Sequence, residues 1–250
     1  MNFELLNHNG TQVSEYNAES WFLVPFPREK GRPFNADNLA IANLSPFLDD
    51  DQFQNALKAA SNRWSGTGME RDISWRVHIF LSMATAALRG SRTGGFVELG
   101  LGRGYMLAAL LNWQLSRGER FDFYHVFDRP ATPEQPAMYA HDATEIEDVF
   151  DVPGVEIFWG DLPESLDQRS KKVDGKGAGA ISFVHVDLNN GEAEIECLNR
   201  LVDEMAPNCV ILFDDSGNPG CREQADLHAE WCRRHSRNLC FLPSGQAVSL

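Results

Sequence analysis

Ile73, Val77, Phe80, Leu81, Ala84 and Leu88 recur at spacings of three and four, so residues 69–89 are predicted to form a helix with one apolar stripe. Past that helix the period changes. "FVEL", "FDFYHVFD", "VEIFW", "AISFVHVD" and "NCVILFDD" are short apolar runs, and each is followed by a stretch of helical spacing. Those stretches are "YMLAALLNWQLSR", "AHDATEIEDVF", "LPESLDQRS", "EAEIECLNRLVDEM" and "CREQADLHAEWCRRHS". Alternating strand and helix predict a parallel sheet covered on both faces. The chain closes with "LCFLP" and "QAVSL" around "SG", which reads as a hairpin and adds an antiparallel edge.

Residues 1 to about 60 lack this regularity. "WFLVPFPREKGRPF" sets three prolines among aromatics, as in an extended segment laid over a core or a ligand mouth. Trp21, Phe22, Phe26 and Phe34 would cover an acceptor there, or serve core packing or a dimer contact. "SPFLDDDQFQNALKAASNRW" then predicts a short helix capped near its acidic start. The chain therefore divides into a cover segment, 1–68, and a ligand-binding domain, 69–250.

Composition narrows the partners. With 250 residues, 43% of them hydrophobic, the chain can bury a sizeable core. A formal charge of −14 argues against nucleic acid as a partner, since phosphate backbones attract basic surfaces. Arg233, Arg234 and Arg237 form a small basic group, expected on the solvated face of a late helix. The N-terminus has no basic start followed by an apolar run, and no apolar stretch is long enough for a bilayer. Five scattered cysteines make no CxxC pair, and Cys232 with His235 at CxxH spacing lacks a second pair. Reduced thiols in a cytoplasmic protein are expected, and the oligomeric state stays open, a homo-oligomer included.

The chemistry gathers at the ends of the predicted strands, where open α/β sheets bind ligands. "FVELGLGRG" places glycines at Gly100, Gly102 and Gly104. A dinucleotide fingerprint needs its last glycine one position later, where this chain has Tyr105, and no Gly-Lys-Ser/Thr follows for a P-loop. Glu98 would repel a pyrophosphate and suits a ligand with positive charge, such as an amine or sulfonium. Asp128, ending the next strand, can accept hydrogen bonds from ribose hydroxyls. Gly160-Asp161, after the third, is a plausible edge for adenine, or Asp161 caps a helix. Together these describe a site for S-adenosylmethionine. Asp187 and the pair Asp214-Asp215 end the following strands, so three carboxylates would meet at one end of the sheet. They repel unless protons or a hard cation such as Mg2+ relieve them. Alternatively Asp214 caps a helix and Asp215 makes a turn.

The run "WRVHIF", "GGFVELGLGRGYM", "FYHVFD", "WGDLPESL", "HVDLNNGEAEI", "ILFDDSG", "LPSGQAV" resembles the macrocin O-methyltransferase family over roughly residues 70–250. Its members are class I methyltransferases acting on sugar hydroxyls of natural products. The resemblance implies a Rossmann-like α/β sheet of seven strands, the last antiparallel, and Mg2+-dependent O-methyl transfer to a small-molecule acceptor. Glu98, Gly100 and Gly104 would line the methionine part of the cofactor, Asp128 its ribose and Asp161 its adenine. Asp187, Asp214 and Asp215 would hold the metal. This chain has Asn189 where the family has an aspartate proposed as general base, and Ser216 where a tyrosine is frequent, which would alter the acceptor pocket. An amide takes no proton, so His185, Asp187 or a metal-bound water are left as bases. Arg76 is expected to touch the cofactor carboxylate or to make a surface salt bridge. Two other readings remain: a non-catalytic methyltransferase-like binding protein, favoured by Asn189 and Ser216, and a NAD-dependent oxidoreductase, disfavoured by Glu98 and the position of Gly104.

Overall fold

The structure, a computed structural model, describes residues 4–6, 22–24, 34–36, 39–41, 45–65, 72–90, 94–131, 141–173 and 180–250. Four short strands come first, β1 (Glu4–Leu6), β2 (Phe22–Val24), β3 (Phe34–Ala36) and β4 (Leu39–Ile41), pairing β1 with β2 and β3 with β4. Trp21 and Phe26 of the expected cover lie outside the described residues. A 3-10 turn, Pro46–Asp49, leads into α1 (Asp51–Asn62). Asp50 caps α1 by accepting from the amides of Gln52 and Phe53 at 2.7 and 3.1 Å, the acidic start that the sequence announced.

The helix expected over 69–89 is α2 (Ser74–Gly90). Then follow β5 (Gly95–Leu99), α3 (Tyr105–Arg117), β6 (Tyr124–Asp128), α4 (Ala143–Val149), β7 (Val155–Trp159) and α5 (Leu166–Val173). The second half holds β8 (Ile181–Val186), α6 (Gly191–Leu201), β9 (Met205–Phe213), α7 (Arg222–Arg234), β10 (Leu239–Phe241) and β11 (Ala247–Ser249). The main sheet runs β10-β11-β9-β8-β5-β6-β7. Its inner strands β9, β8, β5, β6 and β7 are parallel, while β11 is antiparallel to both its neighbours, as the closing hairpin requires. Every residue of β5 and β8 is buried, whereas the edge strand β7 is mostly half-buried.

Alternation along the strands assigns the two faces. Phe96, Phe183 and Leu212 pack with α1, α2 and α3 in one core, and Val97, Leu99, Val184, Val186 and Phe213 pack with α6 and α7 in the other. The chain steps outward from β5 through β6 to β7, then returns to lay β8 on the other side of β5. The crevice left at that reversal opens at the carboxyl ends of β5 and β8. No helix among the described residues is long and apolar enough to cross a membrane.

Candidate functional site

A cavity of about 880 Å³ occupies that crevice, bordered by Glu98, Gly100, Gly102, Tyr105, Asp128, Gly160 and Asp161 on the β5–β7 side. Asp187, Asn189, Asp214 and Asp215 border it on the β8–β9 side. Of the residues expected at the site, Gly104 and His185 do not line it. The reason for Gly104 is packing: a Cβ there would lie 2.2 Å from the Phe150 ring, so the glycine seats the start of α3 against that ring. Trp64, Ile73, Met106 and Asn218 also line the cavity and carried no sequence motif.

The glycine turn brings backbone close to backbone. At Gly100, with φ +95°, a Cβ would stand 2.0 Å from the carbonyl oxygen of Asp187. That contact joins the ends of β5 and β8, where the amide of Asp187 also donates to Leu99 O at 2.9 Å. The amide of Gly102 donates to Asp128 Oδ2, and that of Arg129 to Asp128 Oδ1 at 2.7 Å. Burial raises the Asp128 pKa, with these two amides pulling the other way. Asp161 is exposed and caps no helix with its side chain; it lies 3.9 Å from Arg129 Nη1.

Beneath α2 runs a buried polar row. Glu98 and His185 stand opposite each other in register on β5 and β8, with His185 Nδ1 2.9 Å from Glu98 Oε1. His185 Nε2 is 3.8 Å from Asp214 Oδ1, an ion-pair distance rather than a hydrogen bond. The ring is fully buried. Burial alone would lower its pKa, but Asp214 and Glu98 outweigh that and push it up to about 10. Burial raises Glu98, its partner His185 opposing.

Arg76 closes the row and borders the cavity, so it makes no surface salt bridge. Its guanidinium is buried and donates from Nη1 to Asp214 Oδ2 and Asp214 O, both at 2.8 Å, and to Asp215 Oδ1 at 3.2 Å. Gln246, from the turn of the closing hairpin, donates to Asp214 Oδ1 at 2.8 Å. Burial would raise Asp214, yet His185, Arg76 and Gln246 outweigh it and hold this carboxyl below the usual range. Asp187 is raised well above that range by burial and then by the charge of Asp214, and Asp215 is raised for the same two reasons. Asp214 therefore caps no helix; Asn218 caps the turn before α7.

The carboxylates of Asp187, Asp214 and Asp215 each bring one oxygen within 4.8 Å of the others. An all-oxygen set of this kind fits a hard divalent cation. Cys232 is buried and His235 stacks on Trp231 at 4.2 Å, so that CxxH spacing serves packing. Asn189 takes φ +55°, a left-handed conformation that asparagine tolerates better than most residues. Ser216 faces away from the cavity: its Oγ is 2.6 Å from His228 Nδ1, deep between β9 and α7. Arg233 and Arg234 pair with Glu230 on the exposed face of α7, as expected, but Arg237 turns inward to Cys209 O and Ser249.

The fold, with its seven-stranded sheet and antiparallel β11, is the Rossmann-like fold of class I methyltransferases. No protein-family model matches the chain, and no curated protein matches it in sequence. Among solved structures, the calicheamicin methyltransferase CalS11 superposes with TM-score 0.58 at 15% identity, over 88% of this chain and 98% of its own. The apo form of CalS11, a TDP-rhamnose 3'-O-methyltransferase, gives 0.56 at 16% identity, over 84% and 96%. The O-methyltransferase NovP gives 0.54 at 14%, over 70% and 78%.

Proposed function

We propose that the protein is an S-adenosylmethionine-dependent O-methyltransferase acting on a small-molecule hydroxyl, a sugar or another natural-product acceptor. One observation carries the reading: a single cavity joins the Glu98–Asp128 end, suited to a cationic nucleoside ligand, to the acidic group at Asp187, Asp214 and Asp215. The activities of CalS11, a TDP-rhamnose 3'-O-methyltransferase, and of the O-methyltransferase NovP support it.

The cofactor brings an electrophilic methyl group, so the protein's work is alignment and proton removal. Asp128 would accept the ribose hydroxyls while Gly102 and Arg129 hold its carboxylate in place. Glu98, anchored by His185, would face the positive end of the ligand. Gly100, lacking a Cβ, lets β5 and β8 meet so that both halves border one space. Mg2+, when bound, would be held by the acidic group and would polarise the acceptor hydroxyl. The proton falls to Asp187, which borders the cavity and whose carboxyl is held above the usual range by burial and then by the charge of Asp214. His185 is sealed between Glu98 and Asp214 and acts through them. Asn189 borders the cavity, placed to hydrogen-bond the acceptor.

Calorimetric titration with S-adenosylhomocysteine, with and without Mg2+ and with NAD as control, tests the reading. Binding of the homocysteine ligand alone, followed by methyl transfer to members of a hydroxylated acceptor panel, is expected. Binding of NAD alone would overturn it. Cofactor binding with no turnover on any acceptor would favour the non-catalytic alternative that Asn189 keeps open.

A further inference from the structure

Because β11 runs antiparallel to β9, its first residue, Ala247, pairs with the last residue of β9, Phe213. A parallel strand would begin at the opposite end of its neighbour; this one begins at the carboxyl end, where the acidic group stands. The turn before β11, residues 244–246, is thereby set beside Asp214 and Asp215. Its seat is tight. The amide of Gly217 donates to Gly245 O at 2.6 Å, and a Cβ on Gly217 would stand 3.0 Å from the Gly245 backbone. Gly245 has φ +86°, and a Cβ there would lie 3.2 Å from Arg76 Nη2. The turn therefore packs at once on the loop after β9 and on the first turn of α2.

That seat brings one side chain against the acidic group. Gln246 is fully buried and its whole amide is engaged. Nε2 donates to Asp214 Oδ1 at 2.8 Å and to the peptide oxygen of Arg76 at 3.5 Å, while the amide oxygen accepts from Ser244 Oγ at 3.0 Å. The Ser244 hydroxyl settles which way the amide faces, since a donor there claims the oxygen and leaves the NH2 for Asp214. On the other side, Arg76 Nη1 donates to Asp214 Oδ2 at 2.8 Å. One donor on each oxygen stops the carboxylate from rotating, and each oxygen keeps a lone pair for a further partner. Asp214 so held offers an oxygen within 4.8 Å of those of Asp187 and Asp215. Charge matters as well. Arg76 already opposes Asp214 with a full charge; a neutral amide on the second oxygen fixes the carboxylate without removing more of the negative charge that a cation needs.

Resting on the reading that the acidic group takes a divalent cation, we propose that Gln246 is a positioning residue for that site: oriented by Ser244, it locks the Asp214 carboxylate in the attitude that ligates. The antiparallel hairpin is then part of the site's construction, and the turn before β11 is the piece that delivers it. Groups that orient metal ligands without touching the ion change affinity by about 10–100-fold when removed. A Gln246 that served only the packing of the hairpin would, on its loss, weaken the fold and every ligand alike.

The test uses the full chain saturated with S-adenosylhomocysteine, with Mn2+ as the probe and electron paramagnetic resonance to measure the free ion. Gln246→Met keeps the length of the side chain and removes its donor. It should weaken Mn2+ by about 10–100-fold, while calorimetric affinity for S-adenosylhomocysteine in metal-free buffer stays at the wild-type value. Ser244→Ala keeps the amide but frees it to turn, and should give a smaller loss of Mn2+ with the same unchanged affinity for S-adenosylhomocysteine. Unchanged Mn2+ affinity in Gln246→Met overturns the proposal. If Gln246→Met loses both ligands, Ser244→Ala decides: weaker Mn2+ with S-adenosylhomocysteine intact upholds the positioning role, and any other result overturns it. Wild type that binds S-adenosylhomocysteine but no Mn2+ sinks the inference and leaves the cofactor reading standing; wild type that binds neither sinks the proposed function itself.

Discussion

His185 lies between two carboxylates with no exposed surface, 2.9 Å from Glu98 and 3.8 Å from Asp214. Burying such charges is costly, and breaking one partner costs more than the pair is worth, because the other is stranded. His185→Gln should therefore lower the unfolding free energy by about 3–5 kcal/mol at pH 6. The pH dependence follows from the raised pKa. A histidine at 6.5 when unfolded and about 10 when folded contributes stability that is complete below pH 6.5 and is lost as pH rises through 10. The gap between wild type and variant should close over that interval, read by urea unfolding at pH 6, 8 and 10. A gap that stays constant would mean that the ring is neutral in the fold. At this scale the sequence was half legible. Placing His185 on the face of Asp187 needed only the two-residue period, but its pairing with Glu98 lies across strands 87 residues apart. Ser216 was read toward the acceptor because it stands where the resembled family often has a tyrosine; its actual partner comes from α7, which no local pattern discloses.

The turn from β5 into α3 shows how one element can carry two kinds of glycine. Gly100 and Gly102 both have positive φ, at 95° and 54°, and so both resist a side chain. Their surroundings differ. A Cβ at Gly100 would run into the backbone of Asp187, while nothing stands within 4 Å of one at Gly102. Gly100→Ala should cost about 2–5 kcal/mol, adding steric overlap to the dihedral penalty, and Gly102→Ala only about 1–2 kcal/mol. Chemical denaturation of the two variants measures both. Equal losses would show that the β5–β8 junction yields easily, and that Gly100 is there for the dihedral alone. The strands themselves were plain in the sequence, since "FVEL" and "AISFVHVD" are apolar without interruption and strands buried on both faces must be. The hairpin was plain too. What it does was not: Gln246 reaches back 32 residues to Asp214, and Arg76 reaches forward 138. Periodicity assigns a residue to a face, but partners at that range are settled only by how the layers stack.

Across the whole molecule, the cavity draws its walls from both sides of the chain reversal. Glu98 and Asp128 come from the half that runs β5–β7, and Asp187, Asp214 and Asp215 from the half that runs β8–β9. A ligand spanning the crevice therefore bridges two halves of one sheet and binds only when both are folded. Such a ligand stabilises by mass action, about 2.7 kcal/mol at a hundred times its Kd. For a chain of this size that is a rise in Tm of about 5–11 °C. Charge decides which ligand can do it. The molecule carries −14 overall, and Glu98, Asp187 and Asp215 all face or flank the cavity. A dinucleotide would have to bring its diphosphate among them, whereas S-adenosylhomocysteine carries an amino group and no phosphate. Thermal melting with each ligand should thus show the rise for S-adenosylhomocysteine and no shift for NAD. Equal shifts would mean that Glu98 does not discriminate, and that its buried pairing with His185 serves the sheet rather than the ligand.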